Sequence, residues 1–162
     1  MNALDIARDL LAHMEWADAT VWAAARPLIG DEKLYKTLQH YHATQHAFLM
    51  LWRSEPVDFS SVPDDVEQWA RDYYVKLAAF VKSLDPASLD RVVPIPWATQ
   101  YAAGAAEVSV GDMILQVASH STHHRGQACT RIRELGGVPP LVDYIAWLWL
   151  ARPSKPSLHP IA

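Results

Sequence analysis

Long stretches of helical periodicity, each closed by proline or a glycine pair, leave this chain few options besides packed helices. Residues 3–26 carry Ala and Leu at helical spacing without Gly or Pro. They predict a first helix that ends before Pro27, with Ile6, Leu10, Met14, Ala17 and Val21 on its apolar face. Residues 32–53 predict a second, with Leu34, Leu38, Tyr41, Phe48 and Trp52 on one stripe and Pro56 beyond its end. A third starts near Pro63, where Asp64, Asp65 and Glu67 meet the positive end of the helix dipole, and stops at Asp85 and Pro86.

Residues 86–108 change character. Val92, Val93 and Ile95 interleave with Pro94 and Pro96, followed by Ala and Gly, which reads as a long connection with room for a short edge hairpin. Ser109 with Asp112 three residues on is a capping arrangement, so a fourth helix is expected from about Val110 to the Gly136, Gly137 pair. A short apolar fifth helix is expected over Leu141–Leu150, then an extended tail from about residue 152. The resulting expectation is an all-α, single-domain four-helix bundle over residues 1–162, with a long crossover between the third and fourth helices. With 51% hydrophobic residues in 162, the chain can bury one core and has little room for two.

Composition excludes several function classes. Fourteen Lys and Arg against eighteen Asp and Glu give a net charge of -4, which repels a phosphate backbone, so no nucleic-acid partner is expected. The longest apolar run, Tyr144 to Ala151, falls far short of the roughly twenty residues of a spanning helix. Acidic Asp5 and Glu15 break the pattern of a secretory leader, and the single Cys129 rules out an intrachain disulfide and any CxxC motif. A cytoplasmic protein without thiolate metal ligands is the expectation.

Histidine is the unusual residue. Six of the eight His fall within residues 40–46 and 120–124, where uniform scatter would place roughly 0.6. On a helix, His120 and His124 project from one face about 40° apart, continuing the stripe of Met113 and Val117, so both are expected to point inward. His123 lies about 100° further round, at the flank. Two imidazoles at this spacing can share one cation and leave room for a third ligand from a neighbouring helix. The second helix offers His40, His42 and His46. Measured from the apolar stripe, His42 is about 80° off and His40 about 120° on the other side, a near tie that leans to His42. No HExxH motif is present, because residue 121 is Ser.

Four stretches carry a family resemblance: MEWADATVW, LQHYHATQHAFLMLW, ILQVASHSTHHRGQ and GGVPPLVDYIAWLW. Together they resemble the DinB family, also called DinB/YfiT-like, and the H-x-x-x-H-R-G-Q block is the specific one. The resemblance implies a four-helix bundle, often dimeric, that binds a divalent metal through three histidines. Carried over, the fourth-helix ligands fall on His120 and His124. The family's second-helix pattern places its His five residues before an acidic or polar position and eight before an aromatic, which here are Gln45 and Phe48. The implied third ligand is therefore His40, with His42 and His46 as fallbacks. Gln stands where an acid is often found and Phe where Trp is usual.

Three neutral histidines leave a divalent metal with open positions, as in catalytic zinc sites. The implied ion is zinc or nickel first, iron or manganese second. Relatives resemble thiol-dependent transferases and isomerases, so the leading expectation is a metal-dependent enzyme, transferase or hydrolase, acting on a small molecule with a low-molecular-weight thiol in stress response or detoxification. Tyr41, Gln116, His123, Arg125 and Gln127 are candidate catalytic or thiol-recognition groups by position. The competing reading is a metal-binding bundle without turnover; a haem bundle fits poorly, since haem takes well-separated axial ligands. Trp147, Leu148 and Trp149 offer apolar surface for a homodimer or for capping the chain's own bundle.

Overall fold

The computed structural model describes residues 2–60, 62–100 and 107–154. Its elements are α1 (Ala3–Ala25), α2 (Glu32–Trp52), α3 (Val66–Ser83), α4 (Pro86–Asp90), β1 (Val92–Pro94), β2 (Glu107–Ser109), α5 (Val110–Glu134) and α6 (Tyr144–Trp149). The expected tail lies mostly outside the described residues, as does the Ala- and Gly-rich part of the crossover.

Each helix except α6 starts where a side chain satisfies an otherwise orphaned backbone amide. Asn2 and Asp5 form a reciprocal capping box on α1, and Asp31 accepts from the Leu34 amide on α2. Ser109 accepts from the Asp112 amide at 3.0 Å and donates to its carboxylate at 2.7 Å, which starts α5 at the expected residue. The far end of α5 closes in a Schellman turn, with the Gly136 amide donating to Arg133 and the Gly137 amide to Ile132. Gly136 holds φ 81°, a left-handed conformation that other residues adopt at a cost.

The four long helices form the bundle, with α5 packed against both α1 and α2, and α3 against α2. Met14, Val21, Leu34, Leu38, Tyr41, Met113, Val117 and Ile132 are wholly buried between them. Burying each large apolar side chain is worth about 1.5–3 kcal/mol, which is where the fold finds its stability. Arg131, late on α5, grips the carboxylate of Asp31 at the start of α2 through two nitrogens, at 2.9 and 2.6 Å. That pair ties the two helices end to opposite end and holds the Asp31 carboxyl down to about 2.

Three expectations need correction. In the first turns of α1 the buried face is Ala7 and Leu11; Ile6 is 39% exposed and Leu10 half-buried, because both line a groove that stays open between α1 and the facing residues of α4 and α5. The crossover holds more than a hairpin: α4 sits ahead of the antiparallel β1–β2 pair, since Asp85 and Ser88 cap each other around Pro86. The last helix begins at Tyr144, with Asp143 at its N-cap, rather than at Leu141. It caps its own bundle through Trp147, which packs on Trp16 and Ala17, while Trp149 stays 75% exposed. No helix among the described residues is long and apolar enough to cross a membrane.

Candidate metal centre

Helices α2 and α5 bring His40, His120 and His124 together. One ligand atom from each lies within 4.8 Å of the other two, so the cluster could hold a metal ion. The Nε2 atoms of His120 and His124 face each other at 3.1 Å. Metal–nitrogen bonds of about 2.0–2.1 Å at tetrahedral or octahedral angles place neighbouring ligand nitrogens about 2.8–3.4 Å apart, so this pair already has ligand spacing. The His40 ring centroid is 5.2 Å from that of His120 and 4.5 Å from that of His124.

Hydrogen bonding prepares the rings for a cation. Gln127 Oε1 can only accept, so at 2.7 Å it draws the proton of His124 onto Nδ1 and leaves Nε2 with a free lone pair. The same amide donates through Nε2 to His123 at 3.0 Å, whose ring stands edge-on to that of His124 with centroids 5.0 Å apart. His120 Nδ1 is buried without a partner, so this ring is poorly satisfied by protein groups alone. Burial, then the neighbouring imidazoles His124 and His40, pushes the His120 imidazolium down to about 4. Burial also lowers His124, against the pull of Gln127. Both rings are thereby kept neutral, the form in which imidazole binds metal. By donor type, spacing and protonation the residues fit a borderline divalent cation.

The centre is shallower than the sequence suggested. His40 is exposed and the other two half-buried, because the three project from the flank where α2 meets α5 and not from the bundle axis. An open depression of about 450 Å³ adjoins them, lined by Lys33, Lys36 and Thr37 along with His40, His124 and Gln127. Glu32 reaches it paired to Lys36 at 2.6 Å. These residues escaped the sequence reading, although Lys36 and Lys33 precede His40 by four and seven positions, a same-face spacing. A larger groove of about 770 Å³ between α1 and α3 has no histidine in its lining.

The fallback histidines have other work. His42 is fully buried, accepts from Trp22 Nε1 at 2.8 Å and bonds Gln45 Oε1 through Nδ1 at 2.8 Å. His46 bonds the Trp69 carbonyl at 3.0 Å and stacks on that ring at 3.9 Å. The helical wheel's lean to His42 is thus corrected: a position near the apolar stripe is what a core histidine wants, whereas a ligand shared with α5 must sit at the edge of α2.

The other candidates divide. Gln127 and His123 stand beside the cluster. Gln116 is solvent-exposed. Tyr41 is buried in the apolar cluster with Leu34, Leu38 and Ile132, and Arg125 is buried in an ion pair with Asp18, so neither faces the depression. Asp18, Gln45, Tyr74 and Ser121 join Arg125 in one buried polar network. The sequence hinted at it only through Asp18, a charged residue among the apolar Met14, Val21 and Trp22 of its helical neighbourhood.

Comparison with known proteins agrees with this architecture. The model of the DinB family matches residues 28–157. Among solved structures, the chain is similar to a DinB-like protein, YjoA, from Bacillus subtilis, at 18% identity and a TM-score of 0.63, over 86% of this chain and 97% of that one. Comparison with curated proteins gives no match.

Proposed function

Because the chain belongs to the DinB family, we propose that it is a divalent-metal-dependent enzyme of the thiol-dependent transferase or hydrolase type, with His40, His120 and His124 as the metal ligands. The observation that carries the reading is the 3.1 Å approach of the His120 and His124 Nε2 atoms, with His40 closing the third side. Zinc or nickel suits three imidazoles best. When bound, such an ion supplies Lewis acidity, lowering the pKa of a coordinated water or thiol and polarising a carbonyl.

The protein's own residues supply the rest. Gln127 holds the His124 ring and its tautomer. The exposure of His40 keeps one side of the cluster open to a substrate arriving through the depression. Lys33 puts an ammonium group on its wall and Lys36 a second one held by Glu32, which a carboxylate-bearing small molecule such as a low-molecular-weight thiol would have to displace. We place that chemistry in stress response or detoxification.

Elemental analysis of the purified protein beside a His120→Ala, His124→Ala double variant tests the ligand set. Close to one equivalent of metal in the wild type and almost none in the variant is expected; equal content in both would remove the site. Turnover of electrophiles with a panel of thiols then separates an enzyme from a binding module, and inactivity with every thiol would favour the latter.

A further inference from the structure

We propose that the buried network of Gln45, Asp18, Ser121 and Arg125 is a positioning device: it sets the axial register of α2 against α5 so that His40 arrives opposite His120 and His124. This rests on the metal-binding reading above.

The network has a defined polarity. Trp22 Nε1 can only donate, so His42 Nε2, 2.8 Å away, must accept and Nδ1 must carry the ring proton. The Gln45 atom facing Nδ1 at 2.8 Å is then the carbonyl oxygen, which aims the NH2 group the other way. There it donates to Asp18 Oδ2 at 2.7 Å and to Ser121 Oγ at 2.9 Å. Asp18 Oδ1 in turn accepts from Arg125 Nη1 at 2.7 Å. Gln45, Asp18, Ser121 and His42 are completely buried, and Arg125 is 2% exposed.

The points at which this network grips α5 explain its purpose. Ser121 directly follows His120 and Arg125 directly follows His124, so the two grips lie one turn apart, each beside a candidate ligand. On α2, Gln45 sits five residues after His40. Sliding one helix along the other by a single residue is a 1.5 Å shift. Apolar contacts such as Leu38 against Ile132 are non-directional and resist that slide weakly. Gln45 would move off Ser121, and off Asp18, which Arg125 ties to α5, leaving its amide unpaired in the dry interior, which is costly. A metal site tolerates only about 0.2 Å in its bond lengths, so directional bonds at this position are what a centre shared between two helices needs.

Isothermal titration with Zn2+ alone tests this, using Gln45→Met in the wild-type and in a His40→Ala background. If Gln45 acts by placing His40, the substitution weakens Zn2+ binding about 10–100-fold in the wild-type background and less than about threefold where His40 is already absent. Equal losses in both backgrounds, or no loss in the first, overturns the proposal. Ser121→Ala removes one of the two grips and takes the place of Gln45→Met should that variant not fold, with the same pattern required. Leu89→Ala, on α4 and so on no helix of the network, should lower the thermal midpoint without changing Zn2+ affinity. A wild-type protein that binds no Zn2+ defeats the metal reading itself and this inference with it, a result distinct from full binding by Gln45→Met.

Discussion

Asp18 on α1 and Arg125 on α5 meet at 2.7 Å, with side chains 0% and 2% exposed. A pair so enclosed adds little net stability over an apolar equivalent, yet breaking it strands the remaining charge. Arg125→Met should therefore destabilise the protein by about 3–5 kcal/mol, read from urea denaturation. A loss under about 1 kcal/mol would mean that Asp18 is far better hydrated than its burial indicates.

Metal should stabilise the protein without being needed for its fold. The apolar core around Met14, Tyr73 and Met113 closes independently of the histidine cluster. At 100 times its Kd, Zn2+ should add about 2.7 kcal/mol and raise the thermal midpoint, and the His120→Ala, His124→Ala variant should show no rise. Chelation should leave the far-ultraviolet circular dichroism helical; collapse on chelation would make the ion a structural one.

His46 sets a pH dependence of its own. Burial pushes it from 6.5 to about 4 in the folded protein. Below pH 6.5 the unfolded chain therefore takes up a proton that the native state refuses, so stability falls with falling pH and levels off near pH 4. His46→Gln should reduce the slope of that part of the stability profile by up to one proton, the remainder coming from His120 and the other buried histidines, measured by denaturation between pH 4 and 7. An unchanged slope would assign the acid sensitivity to other groups.

Two glycines of α5 and its cap should answer oppositely to alanine. A Cβ on Gly137 would lie 2.7 Å from Leu28 Cδ1 and 2.9 Å from Ile132 Cγ2, so Gly137→Ala should cost about 1–3 kcal/mol. Gly126 is exposed in mid-helix with nothing within 4 Å of an added Cβ, and Gly126→Ala should gain about 0.5–1 kcal/mol. Thermal melts of the two variants check both signs.

The bundle was legible because helix punctuation is local. Ser109 with Asp112 marked the start of α5, Gly136 with Gly137 its end, and the stripe from Leu34 to Trp52 is buried as its spacing predicted. The weaker elements were harder to read. Helix α4 depends on one reciprocal cap around Pro86, and the buried face of α1 near Ala7 depends on which neighbours cover it. Neither leaves a periodic signal.

At the histidines the division is sharper. The i, i+4 spacing of His120 and His124 is a property of one helix, so the chain alone determined that these rings would stand side by side. Which of His40, His42 and His46 joins them is a relation between helices, and two histidines only two positions apart differ by about half a turn in where they point. Packing decided it: Trp22 and Gln45 took His42, Trp69 took His46, and the edge where α2 meets α5 left His40 for the cluster.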